Sequence, residues 1–280
     1  MKYRTGIQQL DSTLSGGLPS GISEIFGEDS SGKSTLCFSV MREASLRGLP
    51  TSLIQSDGYP DAEYIKGCGV GNCVTVVPTH LESAFFAAHK LITSGVKVVV
   101  IDTLTNLECS LDYENLLVGE RVKYAKSESV IGGLEILREL AKDRKALVIV
   151  VNQLRTPIGN LNPKPTSALH KIMGKLTSTR IQTFRESERN EYGELYYAKI
   201  RFLIKKSVKS PPRAEAWGFL FNERGFDPGF ELLRHLLYTG KLESAGSYFR
   251  LPDGSTIGPG YEEAAKQINE NLESWRVTHG

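Results

Sequence analysis

The stretch "FGEDSSGKST", residues 26–35, constrains the fold more than any other part of the chain. It reads G-x-x-x-x-G-K-S, with Gly27, Gly32, Lys33 and Ser34 at the fixed positions. The apolar run "ISEIF" at 22–26 precedes it, and 33–47 follows with Leu36, Val40 and Ala44 at helical spacing. A strand that turns through glycines straight into a helix makes a loop of converging backbone N–H groups at a helix N-terminus. Such a loop attracts phosphate. The dinucleotide pattern G-x-G-x-x-G does not fit this turn. The motif therefore predicts a triphosphate site. Gly27, Glu28, Asp29, Ser30, Ser31, Gly32, Lys33, Ser34 and Thr35 line the triphosphate, Lys33 reaches the β- and γ-phosphates, and the Ser34 hydroxyl ligates Mg²⁺.

Further apolar runs follow at 51–55, 97–101 and 146–151, separated by amphipathic stretches at 81–93 and 135–144. The runs are apolar throughout, as expected of parallel strands covered on both faces. The alternation predicts an α/β fold with a doubly wound, mostly parallel sheet. In "VKVVVIDT", Asp102 ends a strand at its carboxyl end, where such sheets bind ligands. It is the second candidate metal ligand. The texture changes after Gln153. Residues 154–170 read as a loop. Residues 180–185 and 195–204 read as an antiparallel hairpin, and 214–221 as a further strand. Beyond 227 come a helix at 230–238, a hairpin turning on Asp253 and Gly254, and a helix at 261–276. This divides the chain into a core at 1–227 and a small α/β subdomain at 228–280.

A net charge of +2 says little about partners, but its distribution says more. Residues 144–185 hold no Asp or Glu and eight cations: Arg144, Lys145, Arg155, Lys164, Lys171, Lys175, Arg180 and Arg185. Residues 196–213 are also acid-free and carry Lys199, Arg201, Lys205, Lys206, Lys209 and Arg213. Such runs in a nearly neutral chain imply a basic face for a phosphate backbone. The four cysteines form no C-x-x-C and read as reduced thiols. No apolar run approaches the ~18 residues of a membrane span, so a cytoplasmic location is expected.

The flanks narrow the reading. "TGIQQLDSTLSGGLPSGISEIFGEDSSGKST" resembles the RecA family of ATP-dependent strand-exchange recombinases almost position by position. The similarity continues through "LIQSDGYPDAEYIKGCGV", "VVVIDTLTNL", "VIVVNQLRTPIG" and "LYTGKLESAGSYF", from residue 4 to about 275. The resemblance implies a RecA-like ATPase core that uses ATP and Mg²⁺, binds single-stranded DNA and assembles into a filament. It implies Asp57 as the base that activates water, at a position where the bacterial family has Glu. Asp61 and Tyr64 would contact adenine, and Phe221 would pack on it. Gln153 would sense the γ-phosphate, and Lys205 would reach a neighbour's ATP. The implied DNA loops are 107–130, with Arg121, Lys123 and Lys126, and 155–175, with Arg155, Lys164, Lys171 and Lys175.

Three departures stand out. Only four residues precede Thr5, so the family's N-terminal filament contact is expected to be missing. Ser207 stands where the second trans-acting lysine is expected. "LHKIMGK" replaces a Gly-Gly-Asn-Ala-Leu run. The main expectation is a DNA-dependent ATPase, weak in hydrolysis, that promotes homologous pairing and strand exchange. The alternative is a non-catalytic paralogue that binds nucleotide and acts as mediator or regulator of a full-length recombinase. A hexameric helicase fits the C-terminal segment less well.

Overall fold

The structure, a computed structural model, describes residues 1–56, 58, 61–110, 125–155, 166–167, 169–189, 197–211 and 213–279. The first half contains β1 (Lys2–Tyr3), α1 (Gln8–Thr13), β2 (Leu18–Pro19), β3 (Gly21–Gly27) and α2 (Lys33–Leu46). It continues with β4 (Thr51–Gln55), α3 (Ala62–Gly67), β5 (Cys73–Val76), α4 (Leu81–Thr93) and β6 (Val98–Asp102). Then come α5 (Ala125–Asp143), β7 (Leu147–Arg155), β8 (Thr166–Ser167), α6 (His170–Leu176), β9 (Thr179–Arg189), β10 (Tyr197–Lys206), β11 (Glu215–Phe221) and β12 (Gly225–Phe226). The C-terminal part holds α7 (Pro228–Tyr238), β13 (Glu243–Ala245), β14 (Tyr248–Arg250), β15 (Thr256–Ile257), α8 (Gly260–Glu270) and α9 (Leu272–His279).

The main sheet runs β12-β11-β10-β9-β3-β7-β6-β4-β5, with β8 pairing β7. From β5 to β9 neighbouring strands are parallel, and from β9 to β12 they are antiparallel. The apolar runs explain the arrangement. Val98, Val100, Leu147 and Ile149 face a core built with Leu36, Val40 and Met41 of α2. Val99, Ile101, Val148 and Val150 face a second core built with Phe85 of α4 and with Leu134 and Leu137 of α5. Successive strand residues thus feed opposite faces, and burying both faces requires every position to be apolar.

Several elements differ from the pattern read in the sequence. Helix α5 starts at Ala125, ten residues before the expected helix, because Gly132 and Gly133 hide its periodicity. A side chain at Gly133 would meet the Phe85 ring at 2.3 Å, so this glycine is a packing notch between α4 and α5. Strand β7 continues to Arg155 because β8 pairs antiparallel with its end, Leu154 opposite Ser167 and Arg155 opposite Thr166. Helix α6 occupies residues expected to be loop. The expected final helix breaks at Asn271, whose φ is −134° and ψ 38°.

The C-terminal elements bury Leu232, Leu236, Phe249, Ile257 and Ile268 among themselves. They join the sheet through edge-on aromatic contacts of Phe230 on α7: with Phe221 at 5.2 Å and with Phe219 at 5.5 Å between centroids. Arg276 on α9 adds a polar clasp. It donates to Glu43 of α2 at 2.7 and 3.1 Å, and both side chains are buried, at 5% and 3% exposure. Removing one member of a buried pair strands the other's charge. Arg42 lies 3.8 Å from Glu43 and softens that loss. Arg276→Leu is therefore expected to lower stability by about 3 kcal/mol, the low end for such pairs, as read by urea denaturation at pH 7.

Candidate functional site

The phosphate-type loop leaves β3 at Gly27, which pairs with Gln153 of β7 on one side and Thr183 of β9 on the other. A Cβ at Gly27 would meet Thr183 Oγ1 at 2.4 Å and the Thr183 carbonyl oxygen at 2.6 Å, so the approach tolerates no side chain. Ser31 Oγ donates to the Glu28 carbonyl at 2.7 Å and lies 2.7 Å from Thr183 Oγ1, which ties the loop to β9. Ser30 (φ 58°) and Gly32 (φ 84°) take left-handed backbone conformations that turn the chain into α2. Gly32 caps α2 with no side-chain hydrogen bond, so the first-turn amides are left for another acceptor.

Lys33 is 9% exposed. Its ammonium donates to the Glu28 carbonyl at 2.6 Å and lies 3.9 Å from Asp29. Burial lowers its pKa, against the pull of Asp29, Asp102 and Cys37. Ser34 Oγ donates to Asp102 Oδ2 at 2.5 Å, joining the start of α2 to the end of β6. A hydroxyl and a carboxylate oxygen in contact are a donor set that suits Mg²⁺, which takes few protein ligands beside phosphate oxygens and water. Among the described residues, no group of three or more His, Cys, Asp or Glu is built to hold a metal.

Beside the loop lies a cleft of about 240 Å³ bordered by Lys33, Ser34, Thr35 and Tyr64. The Tyr64 hydroxyl sits 2.8 Å from Thr35 Oγ1. Burial pushes its pKa up to about 12, so the phenol keeps its proton. Asp61 caps α3, accepting from the Glu63 and Tyr64 amides at 3.0 Å each, and so orients the helix that presents Tyr64. Phe221, expected against adenine, faces elsewhere. It is 5% exposed and packs edge-on against Tyr197 and Phe230. Strand alternation turns Leu220 and Asn222 toward the cleft instead, and Arg185 joins them there. Leu220 and Asn222 were not singled out from the sequence, and Arg185 stood there only among the cations of the 144–185 run, because the phase of a strand is set by what packs on it.

The remaining candidates spread along the sheet's carboxyl end and beyond. Gln153 is half-buried, one strand from Gly27. Lys126 donates to the Thr105 carbonyl at 3.1 Å and lies 3.6 Å from Glu108. Lys171 and Lys175 are exposed on α6, at the rim of a cleft floored by Ile131, Ile172 and Leu176. Lys205 stands near the end of β10, its pKa lowered by burial and by Arg213, Arg180 and Arg201. Lys206 turns the other way and donates to the Gly174 and Thr177 carbonyls at 2.8 and 2.6 Å. Asp57, Arg121, Lys123 and Lys164 lie outside the described residues, as does the Arg155 side chain.

Glu82 carried no signal in the sequence, where it reads as a surface residue of a helix. It accepts from Cys109 Sγ at 2.8 Å, Ser129 Oγ at 3.1 Å and the Ser110 amide at 3.1 Å. Burial would raise its pKa, but these hydrogen bonds prevail and hold it at about 2.

The arrangement is that of a phosphate-loop protein: a buried parallel strand, a glycine loop on a helix N-terminus, and an acid at the end of a neighbouring strand. The RecA N-terminal domain family matches residues 2–226, and the chain belongs to the RecA family. It is 29% identical over 276 residues to protein RecA of Aquifex aeolicus (strain VF5), covering 96% of this chain and 79% of that protein. Against protein RecA of Thermus aquaticus it is 28% identical over 277 residues, covering 96% and 81%. Against protein RecA of Pseudomonas putida it is 29% identical over 273 residues, covering 95% and 76%. Among solved structures it superposes on the RadB recombinase with a TM-score of 0.60 and 18% identity, covering 80% of this chain and 98% of that one. This last likeness bears on the fold alone.

Two outcomes follow from the geometry. Gly27→Ala forces its methyl onto a backbone carbonyl that has no rotamer to escape by, and is expected to cost about 1–3 kcal/mol, read by thermal unfolding. Glu82→Gln weakens charge-assisted bonds and is expected to cost about 1.5 kcal/mol at pH 7. Because the folded-state pKa is depressed, that contribution is present above pH 4.5 and is lost as pH falls toward about 2. Urea titrations from pH 7 to pH 3 should show the two proteins converging on the acid side.

Proposed function

We propose that this chain binds ATP with Mg²⁺ and single-stranded DNA together, and promotes homologous pairing and strand exchange as a DNA-dependent ATPase. Membership of the RecA family supports a role in DNA recombination. The observation that carries the reading is the register of Gln153 with Gly27 in the parallel β3–β7 ladder. A triphosphate held by the loop lies one strand from the residue that opens the basic 155–175 segment. A γ-phosphate oxygen accepting from the Gln153 amide would bias that segment. Nucleotide and DNA would then each strengthen the other's binding.

In this reading Lys33 exchanges the Glu28 carbonyl for phosphate oxygens and neutralises their charge. The first-turn amides of α2 cradle the same anion. Ser34 and Asp102 hold Mg²⁺, which when bound offsets charge on the β- and γ-phosphates. Asp57 accepts the proton of the attacking water, and a side chain one methylene shorter than Glu slows that step. Tyr64 walls the adenine side, steadied by Thr35 and by the Asp61 cap. Lys126, Arg155, Lys171 and Lys175, with Arg121, Lys123 and Lys164, contact DNA phosphates. Lys205 is offered to the ATP of a neighbouring copy in a filament.

A second reading, a nucleotide-binding paralogue that acts on a full-length recombinase, has one observation in its favour. The Lys206 ammonium is held by two carbonyls at the end of α6, which withdraws it from a neighbouring copy's phosphates.

ATP turnover with and without single-stranded DNA, alongside negative-stain microscopy, separates the two. DNA-stimulated turnover with helical filaments supports the recombinase. Nucleotide binding with neither leaves the paralogue. Lys33→Ala is expected to remove the ATP-dependent gain in DNA affinity, a loss of about 5–150-fold. Unchanged affinity breaks the coupling. Arg155→Gln with Lys171→Gln is expected to shallow the salt slope of DNA binding by about 1.4, at 0.7 per lost contact.

A further inference from the structure

Glu24 lies on β3 three residues before Gly27 and is fully buried. Arg180 of β9 stands opposite it in the parallel ladder. The Arg180 Nε donates to Glu24 Oε2 at 2.5 Å, and a second guanidinium nitrogen donates to Ser167 Oγ at 2.8 Å. The other carboxylate oxygen, Glu24 Oε1, accepts from Asn152 Nδ2 at 2.8 Å. Asn152 immediately precedes Gln153 on β7. Ser167 sits on β8, which pairs with Leu154 and Arg155 at the end of β7. One carboxylate on the phosphate-loop strand thus reaches both stems of the segment between β7 and β8.

We propose that Glu24 and Arg180 are positioning residues: through Asn152 and Ser167 they fix both stems of the 155–166 segment to the strand that carries the phosphate loop. A buried ion pair is no more stabilising than apolar residues of equal volume, so stability alone does not account for it. The planar guanidinium fork holds its two acceptors at a set angle, which a lysine cannot do. The far end of α6 is fastened separately, where Lys206 holds the Gly174 and Thr177 carbonyls. The stretch from Ser167 to Thr177 is thereby anchored at both ends, and the anchor at Ser167 leads to the strand of the phosphate loop. The proposal rests on the reading that the 155–175 segment meets DNA in response to nucleotide.

Ser167→Ala is the selective test, because it leaves the Glu24–Arg180 pair and every phosphate-loop residue in place. Hydrogen exchange on the full chain without nucleotide is expected to quicken about tenfold across 166–176, with β3 and α2 unchanged. Binding of a fluorescent ATP analogue should be unaltered. The affinity for oligo-dT in the presence of ATP should fall about tenfold, and Ser167→Thr should restore both signals. Unchanged exchange at 166–176 overturns the stem contact whatever nucleotide does. Quickened exchange with unaltered DNA affinity overturns the coupling role. A wild-type chain whose DNA affinity ignores ATP sinks the functional reading instead, and the exchange measurement still decides the stem contact.

Discussion

Strand β3 is buried along its whole length, between β7 and β9 and beneath helices on both faces, and it cannot shift without disturbing two cores. Its exit point is therefore fixed, and the phosphate-type loop inherits that precision. Gly27 is clasped between Gln153 and Thr183. Ser31 pins the loop to β9, and Ser34 meets the acid at the end of β6. Together these contacts join the loop to three strands, β7, β9 and β6. The geometry of the site is a property of the sheet more than of the loop's own sequence.

Much of this was legible in the sequence, because its signals are local. A buried parallel strand announces itself by unbroken apolar composition, and a strand–glycine–helix turn by spacing. Asp102 was found from the run that precedes it. What escaped depends on partners far along the chain. Nothing near Phe221 tells which way its side chain points, and the aromatic cluster with Tyr197 and Phe230 decides it. Gly132 and Gly133 break the helical pattern in sequence, and the second of them is required by Phe85 on another helix. Helix α6 begins where the loop read at 154–170 ends, within the 155–175 segment that the family resemblance implied to be a DNA loop.

The acid-free runs of cations imply a basic face, and two of their members are turned inward instead. Arg180 is turned onto Glu24 and Lys206 onto carbonyls at the end of α6. Acid-free sequence does not mean acid-free space: the partner of Arg180 lies 156 residues away in the chain. Lys171 and Lys175 are exposed and share a cleft with Glu135, while Lys126 is partly drawn toward Glu108.

The hydroxyl contact between Thr35 and Tyr64 has a consequence for how the cleft receives a ligand. Thr35 belongs to α2 and Tyr64 to α3, so the width of the aperture is set by the spacing of two helices, and Asp61 locks the second of them at its first turn. An arriving molecule meets walls already braced against each other. Less of its binding free energy goes into ordering side chains, and more is left to act on the strand ends beneath.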